Sequence, residues 1–421
     1  MAHLTPVQQL AAGMRPPPSL ASHFAAVQAA WRFLANERTR PVQLAEPLLE
    51  CARQDVGPAC DAFVLVALDW SPLHFSRHRS KLDKVVLQNR KDLGYELLTA
   101  LAISDRSGAP LAPLCLELRA ADGTHSSRAH GVMSTNSPLD ALCPVMDHVA
   151  ACGLDKRPLF VIDRGADSVG HFRHWDQAGH VFLVRANDAR LVLHRGASAK
   201  LGEVADQLGR EGALARGGEV TVKGGVARQY VGETEVTLHR PARSHRVDKL
   251  GQKRHKNIAG PPLVLRLVVS ELRRGSAVVA RWLMLTNLPG AAHGEQIALW
   301  YYWRWRIESY HKLLKGAGQQ LEQWQQETAQ AVLKRLLIAG MSTLIVWRLA
   351  REPSEEAQQM RELLVRLSGR QMRRGRGQRT FTEPALLAGL GVLLPILNLL
   401  QTYDLAKLQK IAQLTLPQTL V

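Results

Sequence analysis

Apolar residues follow two rhythms along this chain. Continuous runs of the kind that mark strands buried on both faces occur at AFVLVALDW (62–70) and PLFVIDRGADS (158–168), and each carries an acid at its end, Asp69 and Asp163. GYELLTALAISD (94–105) and PLAPLCLELRA (110–120) predict two more strands around a turn at Asp105-Arg106-Ser107-Gly108, and HVFLVRA (180–186) predicts another. Residues 138–152 read as a helix. Upstream, 23–54 reads as two helices broken near Arg40-Pro41, a small unit of a size that could bind DNA. From 187 to 285 the texture changes to short alternating segments set off by Gly, Pro and charged turns, which predicts a β-rich insertion. Within it the basic stretch 243–257 is expected to be a mobile loop that contacts phosphates. After Pro289 the period is helical, through a basic linker at 370–379 to a closing helical hairpin whose apolar faces would pack on a partner.

The pattern therefore predicts an α/β chain in five parts. These are a helical N-terminal, DNA-binding region (1–58), a first core part (59–186), the insertion (187–285), a second core part (286–350) and a helical C-terminal region for dimerisation (351–421). A chain of 421 residues has room for two or three domains.

Charge narrows the choice of partner. Lys and Arg number 54 against 37 Asp and Glu, a formal net charge of +17, so polyanions are the natural partners and nucleic acid leads. A ribosome-like or membrane-surface protein is the other reading of the same charge. Cys51, Cys60, Cys115, Cys143 and Cys152 show no CxxC and no paired Cys/His zinc spacing, so reduced, buried thiols are expected. The N-terminus lacks the order of a signal peptide, and the apolar stretches 336–347 and 386–400 read as core helices, the second carrying Pro395 and Asn398. A cytoplasmic protein off the membrane is the expectation.

The chemistry concentrates in YYWRWRIESYHKLLKGAG (301–318), where aromatic and basic residues surround a single carboxylate, Glu308. Laid out as one helix at about 100° per residue, Tyr301, Arg304, Glu308 and Lys315 share an arc of roughly 60° beside an apolar seam of Trp300, Ile307, Tyr310 and Leu314. Alone, that arc reads equally well as an exposed face with an Arg304–Glu308 salt bridge. Asp69 and Asp163 change the balance. Three carboxylates converging at one sheet edge would repel one another unless cations neutralised them, and Mg²⁺ suits hard oxygen ligands. A pair of such ions stabilises both the attacking and the leaving oxygen of a phosphodiester.

The spacing YxxRxxxExxxxxxK, as Tyr301, Arg304, Glu308 and Lys315, resembles the signature of bacterial DDE transposases of the insertion-sequence-four family. VALDW, VIDRGAD, ARWLMLTNLP and AWRFLANERT resemble further segments of that family, from about residue 25 to 320. The resemblance implies an RNase-H-like mixed sheet with flanking helices, interrupted by the β-rich insertion. It implies Asp69, Asp163 and Glu308 as a triad for two Mg²⁺ ions, with Mn²⁺ able to substitute. Tyr301, Arg304 and Lys315 would grip phosphates, and Trp282 would stack on a flipped base, its other reading being an aromatic in a sheet core. It further implies cut-and-paste transposition on double-stranded transposon ends and target DNA, by a homodimer on paired ends, in a bacterial nucleoid. Gly165 departs from the pattern by replacing an acid. The alternative is a catalytically inactive or domesticated DNA-binding derivative or trans-inhibitor, against which three intact acids argue.

Overall fold

In a computed structural model of the chain, residues 23–134, 137–222, 224–247, 253–290, 292–316, 319–369, 373–374, 379–407 and 410 are described. The Pro-rich start, the centre of the basic stretch, most of the 370–379 linker and the C-terminal tail, for which expectations were given, lie outside them. The chain opens with α1 (His23–Ala35) and α2 (Pro41–Ala59). Pro41 stands at the first helical position, where its fixed φ suits the helix and its missing N–H goes unneeded. There follow β1 (Phe63–His74), β2 (Val85–Val86), β3 (Leu93–Ser104), β4 (Pro110–Ala120), β5 (Gly123–Ser126) and β6 (Val132–Met133). Next come α3 (Leu142–Ala150), β7 (Arg157–Ile162), α4 (Val169–Gln177) and β8 (Val181–Arg185).

The insertion contributes β9 (Leu191–His194), β10 (Ala197–Lys200), α5 (Leu201–Arg210), β11 (Ala215–Val222), β12 (Gly225–Leu238), β13 (Ala242–Val247), β14 (Lys253–Ile258), β15 (Leu263–Arg274) and β16 (Ala277–Thr286). The helical remainder is α6 (Gly294–Trp303), α7 (Arg306–Lys315), α8 (Ala329–Arg351), α9 (Glu355–Leu367) and α10 (Glu383–Thr402).

The molecule is mixed α/β, built on a 14-stranded mixed sheet with the order β10-β9-β12-β15-β16-β8-β7-β1-β3-β4-β5-β6, β11 pairing with β12 and β2 with β3 off that path. Among the described residues only β1–β7 and β7–β8 run parallel; β16 pairs antiparallel with β8, so the insertion strands prolong the core sheet. The continuous apolar runs become its centre: β1 buries Val64–Leu68 without a break, and β3 buries all but two of its residues. α8 is long and apolar enough to cross a membrane by length and composition, yet 78 % of its most apolar window is buried in the fold. α9 and α10 form a second, smaller core with the end of α8, through Val346, Leu364, Leu386 and Leu390.

One expectation is overturned here. The arms of the basic stretch are not irregular, because β13 and β14 pair as an antiparallel ladder from Ala242↔Ile258 to Val247↔Lys253. A run of like charge signals solvation, and says nothing against backbone pairing when side chains can point to water.

The turn Asp105–Gly108 has a further task. Gly108 adopts φ +67°, and a Cβ there would meet the Trp303 ring at 2.5 Å; its carbonyl accepts from Arg306 Nε at 2.9 Å. The turn thus props the end of α6 and the start of α7. Gly108→Ala is expected to cost about 2–3 kcal/mol in urea denaturation through strain and displacement of Trp303. A cost below about 0.5 kcal/mol would show that the ring has room to move.

Candidate active site

The parallel register places the first two acids. β1 and β7 pair from Phe63↔Arg157 to Leu68↔Ile162, so the next residue on each strand, Asp69 and Asp163, stands beside the other on one face of the sheet. Asp69 does not end its strand, as the sequence suggested; β1 runs on to His74, still paired with β3 through Asp69↔Thr99. What ends at Leu68 is the pairing with β7. That point is the carboxyl end of β7, the edge at which α/β sheets characteristically bind ligands. Asp163 caps the short 3₁₀ turn Arg164–Ala166, accepting from the Gly165 N–H at 2.8 Å. Asp69 accepts from the Trp70 N–H at 3.0 Å.

The third acid arrives on a broken helix. α6 and α7 are interrupted at Arg304-Trp305, where the backbone stays right-handed but tightens to i→i−3 bonds, Arg304 N–H to the Tyr301 carbonyl at 3.2 Å and Ile307 N–H to the Arg304 carbonyl at 3.1 Å. α7 then crosses the face of the sheet that carries Asp69. His311 Nε2 lies 3.1 Å from the hydroxyl of Thr99, the residue paired with Asp69.

Arg304 bridges the cluster. Its Nη1 is 3.3 Å from Asp69 Oδ2 and its Nη2 is 3.0 Å from Glu308 Oε1, with the guanidinium only 7 % exposed. Burial opposes its charge, and Tyr301, Asp69, Glu308 and Asp163 around it more than offset that, holding it above the ordinary arginine value. Asp69 is pushed up from 3.8 to about 6: burial is the main cause, the charges of Asp163 and Glu308 add to it, and Arg304 and the Trp70 amide oppose it. Asp69 therefore feels both of the other carboxylates. One guanidinium against three carboxylates leaves two negative charges uncompensated, and the donors are hard oxygens that suit Mg²⁺ or Mn²⁺. The donor chemistry suits divalent cations, but among the described residues the three acids do not bring their donors within 4.8 Å of one another, so holding an ion requires them to draw in.

The other signature residues are placed differently from the single polar arc expected of them. Tyr301 is buried, its ring edge-on to Trp282 at 5.5 Å, and burial raises its phenol. Lys315 donates to the Pro72 carbonyl at 2.5 Å and stands 3.8 Å from Glu322, fastening the end of α7 to β1. Trp282 is 6 % exposed and also stacks on Tyr302; in this conformation it is a sheet-core aromatic with almost no face open to a base. His311 is neutral, since burial first, then Lys315 and Arg304, lowers it to about 3. It cannot be counted among the cations of the segment.

Alternation along β1 also gave a site the sequence reading missed. Trp70 faces away from Asp69 into a cleft of about 1780 Å³, lined as well by Arg164, His171, Arg190, Arg240 and Asn257. Arg164 and Arg240 are exposed and make no ion pair among the described residues. His171 pairs with Asp140 at 3.0 Å from 31 residues away. Arg164, Gly165 and Asp167, just past Asp163, also line the cleft, and only the period-2 rule applied to Trp70 could have pointed to it.

No family model and no curated protein matches the chain. Among solved structures it is similar to a piggyBac transposase synaptic complex with hairpin DNA, at 9 % identity and a TM-score of 0.30, over 77 % of this chain. The match spans 63 % of that chain's length.

Proposed function

We propose that the protein is a DNA transposase of an insertion sequence, cutting DNA at terminal repeats and joining the freed end to target DNA with divalent-metal assistance. The observation that supports this reading is the Arg304 guanidinium held by Asp69 of β1 and Glu308 of α7, with Asp163 next in register to Asp69 on the adjoining parallel strand. The signature spacing from Tyr301 to Lys315 and a net charge of +17 support it.

Asp69, Asp163 and Glu308 would hold the cations, which when bound supply Lewis acidity at the attacking and leaving oxygens of a phosphodiester. The sheet fixes two of these carboxylates by backbone register, so the third, on α7, sets the width of the site. Water attacks phosphorus at the element's end and the 3′ oxygen leaves; that 3′-OH then attacks the opposite strand, and after a second water opens the hairpin it attacks target DNA. Every step is an in-line displacement at phosphorus, so one set of acids serves them all. Arg304 has the planar fork suited to a phosphate, but it is engaged by Asp69 and Glu308, so reaching DNA requires it to let one of them go. Two chains on paired ends complete the reading, and the exposed Ile396, Leu397 and Leu400 of α10 offer an apolar contact for the second copy.

The test is incubation of the protein with labelled duplex carrying the inverted repeats that flank its gene. Cleavage is expected with Mg²⁺ or Mn²⁺ and none with EDTA. Binding that remains salt-sensitive while no cut appears under any divalent ion would overturn catalysis and leave the DNA-binding derivative.

A further inference from the structure

Spacing along the chain gave no zinc signal, yet the fold assembles a mixed donor set far from the triad. Cys143 and Asp147 are one helical turn apart on α3, hence on one face, and His180 immediately precedes β8. The thiol sulfur, a carboxylate oxygen and a ring nitrogen all lie within 4.8 Å of one another. His180 Nε2 is 2.7 Å from Asp147 Oδ1, and the ring is held edge-on to Phe160 at 5.5 Å. Cys143 is 8 % exposed and His180 is 6 % exposed, whereas the Asp147 side chain is 62 % exposed.

Two donors are therefore fixed by the core and the third closes from the solvent side. The His180–Asp147 hydrogen bond by itself explains one contact. It gives no reason for a thiol to share the same corner.

We propose that Cys143, Asp147 and His180 form a three-ligand site for a borderline-soft divalent cation of the Zn²⁺ class, with a fourth position open to solvent. A thiolate with an imidazole selects against Mg²⁺, which takes hard oxygens, so this site and the carboxylate triad answer to different metals. They are also apart in space. His180 stands at the amino end of the parallel strands and Asp163 at the carboxyl end, about 16 Å along a strand of five steps. The ion ties α3 to the start of β8, and the Cys143 thiol gives its proton to solvent as the ion binds. The role is structural, and it does not depend on the transposase reading.

The experiment uses the full chain, reduced and stripped with EDTA, then titrated with Co²⁺. One equivalent is expected to give a thiolate-to-cobalt charge-transfer band in the near ultraviolet, which carboxylates cannot produce, and Zn²⁺ is expected to bleach it. Cys143→Ser should abolish the band with the circular dichroism unchanged. Asp147→Asn, at an exposed position, should keep the fold and weaken Co²⁺ binding on the order of tenfold or more. No band at saturating Co²⁺ with all five thiols titratable in denaturant overturns the site. So does a band that survives Cys143→Ser, which would assign the metal to another thiol such as Cys152 beside His148.

Discussion

A Glu308→Gln protein is expected to bind end DNA within about twofold of the unsubstituted chain and to cut it roughly 10³-fold or more slowly. The substitution keeps shape and keeps an acceptor for Arg304 Nη2, so the 3.0 Å contact that orients the guanidinium has a replacement. Its fold cost is small because Glu308 is half-buried at the start of α7 and none of the apolar seam changes. What it removes is one of the three negative charges that would hold divalent cations. A 10³-fold loss is about 4 kcal/mol of barrier, the scale of a misplaced metal rather than of a lost surface ion pair. Single-turnover cleavage and equilibrium binding on the same duplex separate the two effects. Cleavage at more than a tenth of the normal rate would remove Glu308 from the chemistry.

The legible part of this molecule is what local rules govern. β1, β3, β4, β7 and β8 could be read because strands covered on both faces need unbroken apolar runs, and an acid at the end of such a run stands out. Arg304 and Glu308 could be paired by i,i+4 spacing alone. The break at Arg304-Trp305 could not, since both residues keep right-handed backbone and the period of side chains hardly changes across one tightened turn. Treating 301–315 as a straight cylinder therefore put Tyr301 and Lys315 on an open face, when packing on Trp282 and the Pro72 carbonyl takes both inward. The paired arms of the basic stretch were hidden by their charge. Long-range groupings were hidden for a different reason. Trp70 with Arg240, or Cys143 with His180, meet only through sheet order, and no window along the chain contains them.

Asp69→Asn is expected to raise the stability of the metal-free protein at pH 7.5 by about 2–3 kcal/mol and to change it little at pH 4. Asp69 titrates at about 6 in the fold against 3.8 as its ordinary value, because burial and the neighbouring Asp163 and Glu308 disfavour its charge more than Arg304 and the Trp70 amide favour it. A carboxyl raised in the folded state contributes stability that is fully present below about 3.8 and is lost as pH rises through about 6. The wild-type protein should thus weaken across that window, and asparagine, which never ionises, should flatten the loss. The side chain is 18 % exposed, so solvent screening leaves most of the effect in place. Thermal unfolding at the two pH values reads it as a shift of a few degrees in Tm. Mg²⁺ supplies the opposite arm, since an ion bound by the folded state alone should recover the stability of wild type at pH 7.5 and do much less for Asp69→Asn. A variant less stable than wild type at pH 7.5 would mean that the Arg304–Asp69 contact outweighs the burial of the charge. The acids would then be a structural ion-pair cluster with no uncompensated charge waiting for metal.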